Sequence, residues 1–466
     1  MTTSDKKFEL LRAFLGGLPE HAAVRLARAV EIDRLLDGKA LPHDLILDSL
    51  RPMLSKSSMV VRTPTPLRLF CRPFEDLLYS GPHKEKQKGR IMRANVVPTW
   101  NWLSSKVIHD EVRLYADEVR SLVVGGRAVD ALDRACRFWP VAGEALRHAL
   151  QMNPTDARAA LGGDVAVADA HEMALMLLAG SSMLAVQALM PRRMPSMSEE
   201  TVWELRRIYD QVVATVVDAA PFVPVVAMRR LAKPWEALKL ALNVTRQTQD
   251  TLISSTDMGL VGDILFADLE DHRAAIMATR HPNFDVDAFV LQLTGFTNIS
   301  SAIVKEVEIL RRGKWGQRLL SDRAAVGSVM DTFMERAPKE IAAALPTHRS
   351  GYTGGPRVPD FSRLPDADRI DRARRYGRLL AATKLLAVPG SFGAKYQDAV
   401  DEAMQVLRGY NEDVIKELRS ADGARREIVE HQYQLALELT QCVFGDEEAE
   451  LLRRRGKAAA APAAAA

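Results

Sequence analysis

Carboxylate and imidazole side chains recur at helical spacing along this chain, the pattern from which helical proteins build metal sites. The densest group is GDILFADLEDHR, with Asp263, Asp268, Glu270, Asp271 and His272. On a helix Asp268, Asp271 and His272 share a face and offer a divalent cation two carboxylates and an imidazole. A solvated polar face explains the same cluster. Glu144 with His148, Asp268 with His272, and Glu427 with His431 also stand four apart, a spacing that makes surface partners far more often than ligands. The Glu-x-x-His pattern of bundle metal sites is absent.

Other chemistries find less. His109-Asp110 is similar to the adjacent His-Asp step of helical metal phosphohydrolases of the HD type. The resemblance covers only that dipeptide and His83, which falls in a Pro-Gly-Lys-rich loop where such an enzyme needs a helix. His171-Glu172 lacks the second histidine of a zinc-peptidase motif, and no Gly-x-Ser-x-Gly elbow occurs. Gly125-Gly126 and Gly351 to Gly355 do not continue into Gly-Lys-Ser/Thr, so they read as turns and not as phosphate cradles. No catalytic residue and no cofactor is implied.

The other chemistry-bearing segment is basic. Residues 51 to 113 hold 12 Lys or Arg against five Asp or Glu. Arg62, Arg68, Arg72, Lys84, Lys86, Lys88, Arg90 and Arg93 can neutralise phosphates with counterion release. Phe70, Phe74, Tyr79, Trp100 and Trp102 are interleaved, and bases stack on such rings, so Trp100 and Trp102 join the candidate nucleic-acid or anion site. The alternative is a solvated lysine loop whose aromatics belong to the core. Smaller basic groups at Arg311-Arg312, Arg372 to Arg378 and Arg453 to Arg455 have acids nearby or sit at helix ends, where cations offset the dipole.

These segments lie in a chain of 466 residues with 63 Lys and Arg against 60 Asp and Glu, a net +3 that steers it to no class of partner. Cys71, Cys136 and Cys442 are far apart, with no Cys-x-x-Cys pair, which reads as a protein kept in a reducing cytosol. The first residues mix acids and bases among their apolar positions and do not form a secretory signal. Met173 to Met190 is 18 residues without charge, a stretch that suits a buried helix pair better than a membrane span.

Helical periodicity dominates and alternating runs are almost absent, so the fold class is all-α, a multi-helix bundle. Amphipathic runs occupy residues 19 to 37, 107 to 122, 127 to 151, 257 to 279, 285 to 311 and 316 to 336. Val202, Leu205, Tyr209, Val212 and Val216 share a face, and Ser196 with Glu199 has capping-box spacing ahead of them. Six prolines between residues 51 and 113 exclude long helices there. Tyr396 to Leu418 and Ile428 to Cys442 form an antiparallel hairpin around Gly423.

The expected organisation is a helical segment at 1–58, a proline-rich basic irregular segment at 59–106, a main helical domain at 107–345, a Gly/Pro linker or loop at 346–365, a C-terminal helical hairpin region at 366–456 and a disordered Ala/Pro tail at 457–466. The leading functional expectation is a non-enzymatic cytosolic scaffold or protein-interaction protein. Nucleic-acid or polyanion binding through 62–102 and a helical metal-dependent hydrolase are the alternatives. A protein partner is expected, membrane association is not, and 396–442 offers a seam for homo-oligomers.

Overall fold

A computed structural model describes residues 3–36, 38, 41–54, 63–81, 85–279, 281–349 and 357–460. It is an all-α, multi-helix fold, with 21 α-helices and two two-stranded ladders among the described residues. The chain divides into two compact units, Met1–Arg246 with Asp257–Val261, and Gln247–Thr256 with Gly262–Ala466.

The first unit begins with α1 (Thr3–Gly16), α2 (Glu20–Leu35) and α3 (His43–Leu54), which share a small core of Leu15, Ala23, Ala27, Val30, Ile46 and Leu50. The prolines then enforce short elements: α4 (Pro66–Cys71), β1 (Leu78–Tyr79), β2 (Ile91–Met92) and α5 (Val96–Trp102). Thr65 caps α4 by accepting from the Arg68 N–H, with Pro66 at the first helical position. Next come α6 (His109–Val124), α7 (Ala128–Met152), α8 (Pro154–Leu161), α9 (Asp164–Leu178), α10 (Gly180–Leu189), α11 (Glu199–Thr215), α12 (Phe222–Arg230) and α13 (Leu238–Thr245).

The core of this unit is the crossing of α7 and α9. Gly143 makes it close: a Cβ there would stand 2.9 Å from Leu178 Cγ and 3.0 Å from the Ala174 carbonyl oxygen. The uncharged stretch does not make one long helix. It breaks at Ala179 into α9 and α10, bent by 76°, and Met173, Met176, Leu177, Met183 and Val186 are buried in the unit. Among the described residues no single helix is long and apolar enough to cross a membrane.

Helix α11 starts later than its spacing predicts. Ser198, not Ser196, is the cap and accepts from the Thr201 N–H at 3.2 Å. The preceding Met197 N–H is taken by Glu236 at 2.9 Å, so the backbone stays extended for two more residues.

The second unit holds α14 (Asp250–Ile253), most of α15 (Gly259–Ala278), α16 (Val286–Glu306), α17 (Lys314–Ala344), β3 (Thr347–Arg349), β4 (Arg357–Pro359), α18 (Ala367–Thr383), α19 (Gly393–Ser420), α20 (Gly423–Phe444) and α21 (Asp446–Ala460). The 31-residue α17 is its spine, packing on α18 and α19. Val400, Ala403, Leu407, Tyr410, Val414 and Leu418 are buried along α19, so the seam offered to a second chain is covered within the unit. Gln432, fully buried, fixes the hairpin register. It accepts from the Tyr410 hydroxyl at 2.6 Å and donates to the carbonyls of Asp360 and Arg363 at 2.9 and 2.8 Å.

The Gly/Pro segment 346–365 carries an antiparallel β3–β4 ladder and is tied down by Gln432, while 350–356 lies outside the described residues. The expectation of disorder from 457 is corrected for Lys457–Ala460, which complete α21. Ala459 is buried and the Ala460 carbonyl accepts from Arg426 at 2.9 Å, partners that an alanine tail alone does not reveal.

Candidate functional site

Strands β1 and β2 pair in parallel, Leu78 with Ile91 and Tyr79 with Met92. A parallel pair cannot close with a tight hairpin, so the intervening chain makes an excursion, and its return lies over α9. There Lys86 Nζ meets Asp169 Oδ1 at 2.7 Å and Glu172 Oε2 at 2.9 Å, and donates to the Arg90 carbonyl at 2.6 Å. Asp169 and Glu172 are three apart on α9 and therefore on one face.

Both carboxylates are buried and further bonded. Asp169 Oδ2 accepts from the Met92 N–H at 2.9 Å and from Asn95 Nδ2 at 2.7 Å. Glu172 accepts from the Gly89 N–H at 3.2 Å. Burial pushes the Glu172 carboxyl up to about 7, with Lys86 and the Gly89 N–H pulling the other way and Asp169 adding to the rise. Gly89 has φ +81°, a left-handed conformation that glycine adopts without strain, and it turns the chain so that Lys88 leaves the cluster on its other side.

Lys88 enters a cavity of about 360 Å³ with Arg147 and Gln151 from α7, His171 from α9, Asp218 from the turn before α12, and Asp257. Its ammonium stands 5.9 Å from the centre of the Phe222 ring, a cation–π distance. Among the described residues Lys88, Asp218 and Asp257 make no ion pair, although all three line this cavity. Arg147 pairs with Glu144, one turn back on its own helix, at 2.6 Å. Burial lowers the His171 pKa below its ordinary value of 6.5, so the ring facing the cavity is neutral at pH 7.

Arg68, Arg72, Arg90 and Arg93 each have a partner within the chain. Arg68 pairs with Glu31 at 2.7 Å and Arg72 with Glu75 at 2.9 Å. Burial raises the pKa of each partner acid, and the arginine charges and hydrogen bonds more than offset it, so both end below the ordinary carboxylate range. Arg90 is 3% exposed and lies 4.7 Å from the Tyr79 ring centre. Arg93 donates to Ser80 Oγ at 3.2 Å. Trp102 is buried and donates to Asp156 at 3.2 Å; Trp100 is half-buried against Phe70, 5.0 Å between centres. Arg62, His83 and Lys84 lie outside the described residues.

Asp268, Asp271 and His272 do not gather into a metal site: no group of three His, Cys, Asp or Glu side chains among the described residues is placed to hold a metal ion. His272 instead meets Gln292 at 2.7 Å. His109 and Asp110 are both exposed and stand 3.2 Å apart, and Asp110 also pairs with Arg113 at 3.7 Å. Sequence reasoning missed Asp169 and Glu172 as partners of Lys86. The available signal was two acids three apart leading directly into an uncharged helix, where a carboxylate must find a counter-charge or stay neutral.

Comparison with protein-family models, curated proteins and solved structures finds no match to this chain.

Proposed function

We propose that the protein is a non-enzymatic, cytosolic helical scaffold that binds another protein through the turn between α18 and α19. The observation that carries this reading is a rigid turn holding two aliphatic side chains in water. Leu385 is 86% and Val388 82% exposed. The turn around them is tightly bonded: Gly390 N–H to the Leu386 carbonyl at 2.8 Å, Ser391 N–H to Val388 at 3.1 Å and Phe392 N–H to Ala387 at 3.0 Å. Arg323 of α17 clamps it, donating to the Pro389 carbonyl at 3.2 Å and to Ser391 Oγ at 2.6 Å. A knob already held in shape loses little entropy on docking, which favours recognition.

The engagement of most basic-segment cations and the free thiols of Cys71, Cys136 and Cys442 support the same reading. The test is a photo-crosslinking residue at position 385 or 388 of the full chain expressed in its own cells. Discrete protein adducts are expected from these positions and not from exposed Glu402. Absence of adducts, or the same adducts from 402, overturns the proposal.

A further inference from the structure

We propose that the cavity between Lys88, Arg147 and Asp218 is a binding site for a small zwitterion of the free amino-acid or dipeptide class. The argument starts from the charges on its walls. Lys88 and Arg147 bring positive charge, Asp218 and Asp257 negative, and His171 and Gln151 add neutral hydrogen-bonding groups. Opposite charges sharing a wall ordinarily close onto each other. Here neither Lys88 nor either aspartate makes an ion pair among the described residues, so both signs line the same space without closing onto each other.

The wall that carries Lys88 is built. Lys88 rides on a turn that cannot swing freely, because its neighbours on both sides are fastened to α9. Lys86 is bound to Asp169 and Glu172, and the Gly89 N–H to Glu172. The same helix presents His171 to the cavity from the position next to Glu172. The fully buried Phe222 ring, 5.9 Å from the Lys88 ammonium, further holds that side chain in place. A preorganised wall spares the ligand the cost of ordering the protein.

Size and charge then select the ligand. A cavity of about 360 Å³ is at the small end of the ligand-site range. A nucleotide triphosphate would set its charge against Asp218 and Asp257. A polyamine would meet Lys88 and Arg147. A molecule with one anionic and one cationic end satisfies both walls: its carboxylate accepts from Lys88 and the Arg147 fork, and its ammonium donates to the aspartates.

The test is isothermal titration of the full chain with each of the twenty L-amino acids and with glycylglycine, at neutral pH and low salt. At least one is expected to bind with a Kd in the millimolar range or below. That affinity is expected to fall at least tenfold in Lys88→Ala and, separately, in Asp218→Asn, and to be lost for the same molecule with its amine acetylated. Both substituted residues are exposed, so the variants are expected to fold, which circular dichroism checks. No binding by any probe overturns the proposal, and so does a bound probe that keeps its affinity in both variants. Equal binding of the acetylated molecule would also overturn it, by making the cavity a simple anion site.

Discussion

Lys86 Nζ and Glu172 Oε2 stand 2.9 Å apart, joining the centre of the basic segment to the middle of a helix that begins at Asp164. A lysine that reads in sequence as one of a solvated run is the counter-ion of two buried acids. Removing it strands them. Lys86→Met is expected to cost about 3 to 5 kcal/mol, the range for breaking a buried pair by deleting one partner. Lys88→Met, two residues on and exposed, should stay within about 0.5 kcal/mol. Urea unfolding of both measures the contrast, and equal effects would place Lys86 at the surface.

The same pair makes stability depend on pH. The folded Glu172 pKa of about 7 lies above its ordinary 4.5. The folded state therefore holds the extra proton between those values, and its advantage is lost as pH rises through them. Relative to Glu172→Gln, the wild type should lose on the order of 3 kcal/mol from pH 4.5 to pH 8. Parallel unfolding curves for the two proteins across that range would mean that Glu172 titrates as an ordinary carboxylate.

Gln432 predicts a local effect. Gln432→Leu deprives the Tyr410 hydroxyl of its acceptor and frees the carbonyls of Asp360 and Arg363. Hydrogen exchange should accelerate most in residues 357–365, and the loss of stability should be about 1 to 3 kcal/mol. Uniform acceleration across α19 and α20 would instead make Gln432 a general packing residue.

The three thiols should separate by reactivity. Burial, with the Glu75 charge adding to it, pushes Cys71 up to about 12. Cys136 and Cys442 are partly exposed and also raised, mainly by burial. With an aromatic disulfide reagent at pH 8, two thiols should react in the folded protein, and Cys71 only after denaturation. Early labelling of Cys71 would show that α4 opens readily.

The exposed turn makes a prediction about stability as well as binding. Leu385→Asp with Val388→Asp should leave the unfolding midpoint nearly unchanged, since neither side chain is buried. Arg323→Ala, which removes the clamp on Pro389 and Ser391, should loosen the turn to proteolysis while the second unit stays folded. A large fall in stability from the double aspartate variant would mean that the turn is covered within the chain.

What the sequence by itself determined was local. Periodicity at three and four placed α6, α7, α16 and α19 within a few residues of their observed bounds, except that α16 stops at Glu306. Proline placement ruled out long helices between α3 and His109, and Gly423 marked the hairpin turn. These follow from backbone sterics and from which side of a helix can face water.

What only the tertiary structure decided was the destination of each charge. The start of α11 moved because Glu236, far along the chain, holds the Met197 N–H. Lys86 and Arg90 are internal, Lys88 between them is exposed, and Asp268 has no metal-site companions among the described residues, yet all share unremarkable local sequence. The free energy of a charged side chain depends on its distance from an opposite charge and on the water around it. Both are set by contacts between residues remote in sequence, to which periodicity and composition are blind.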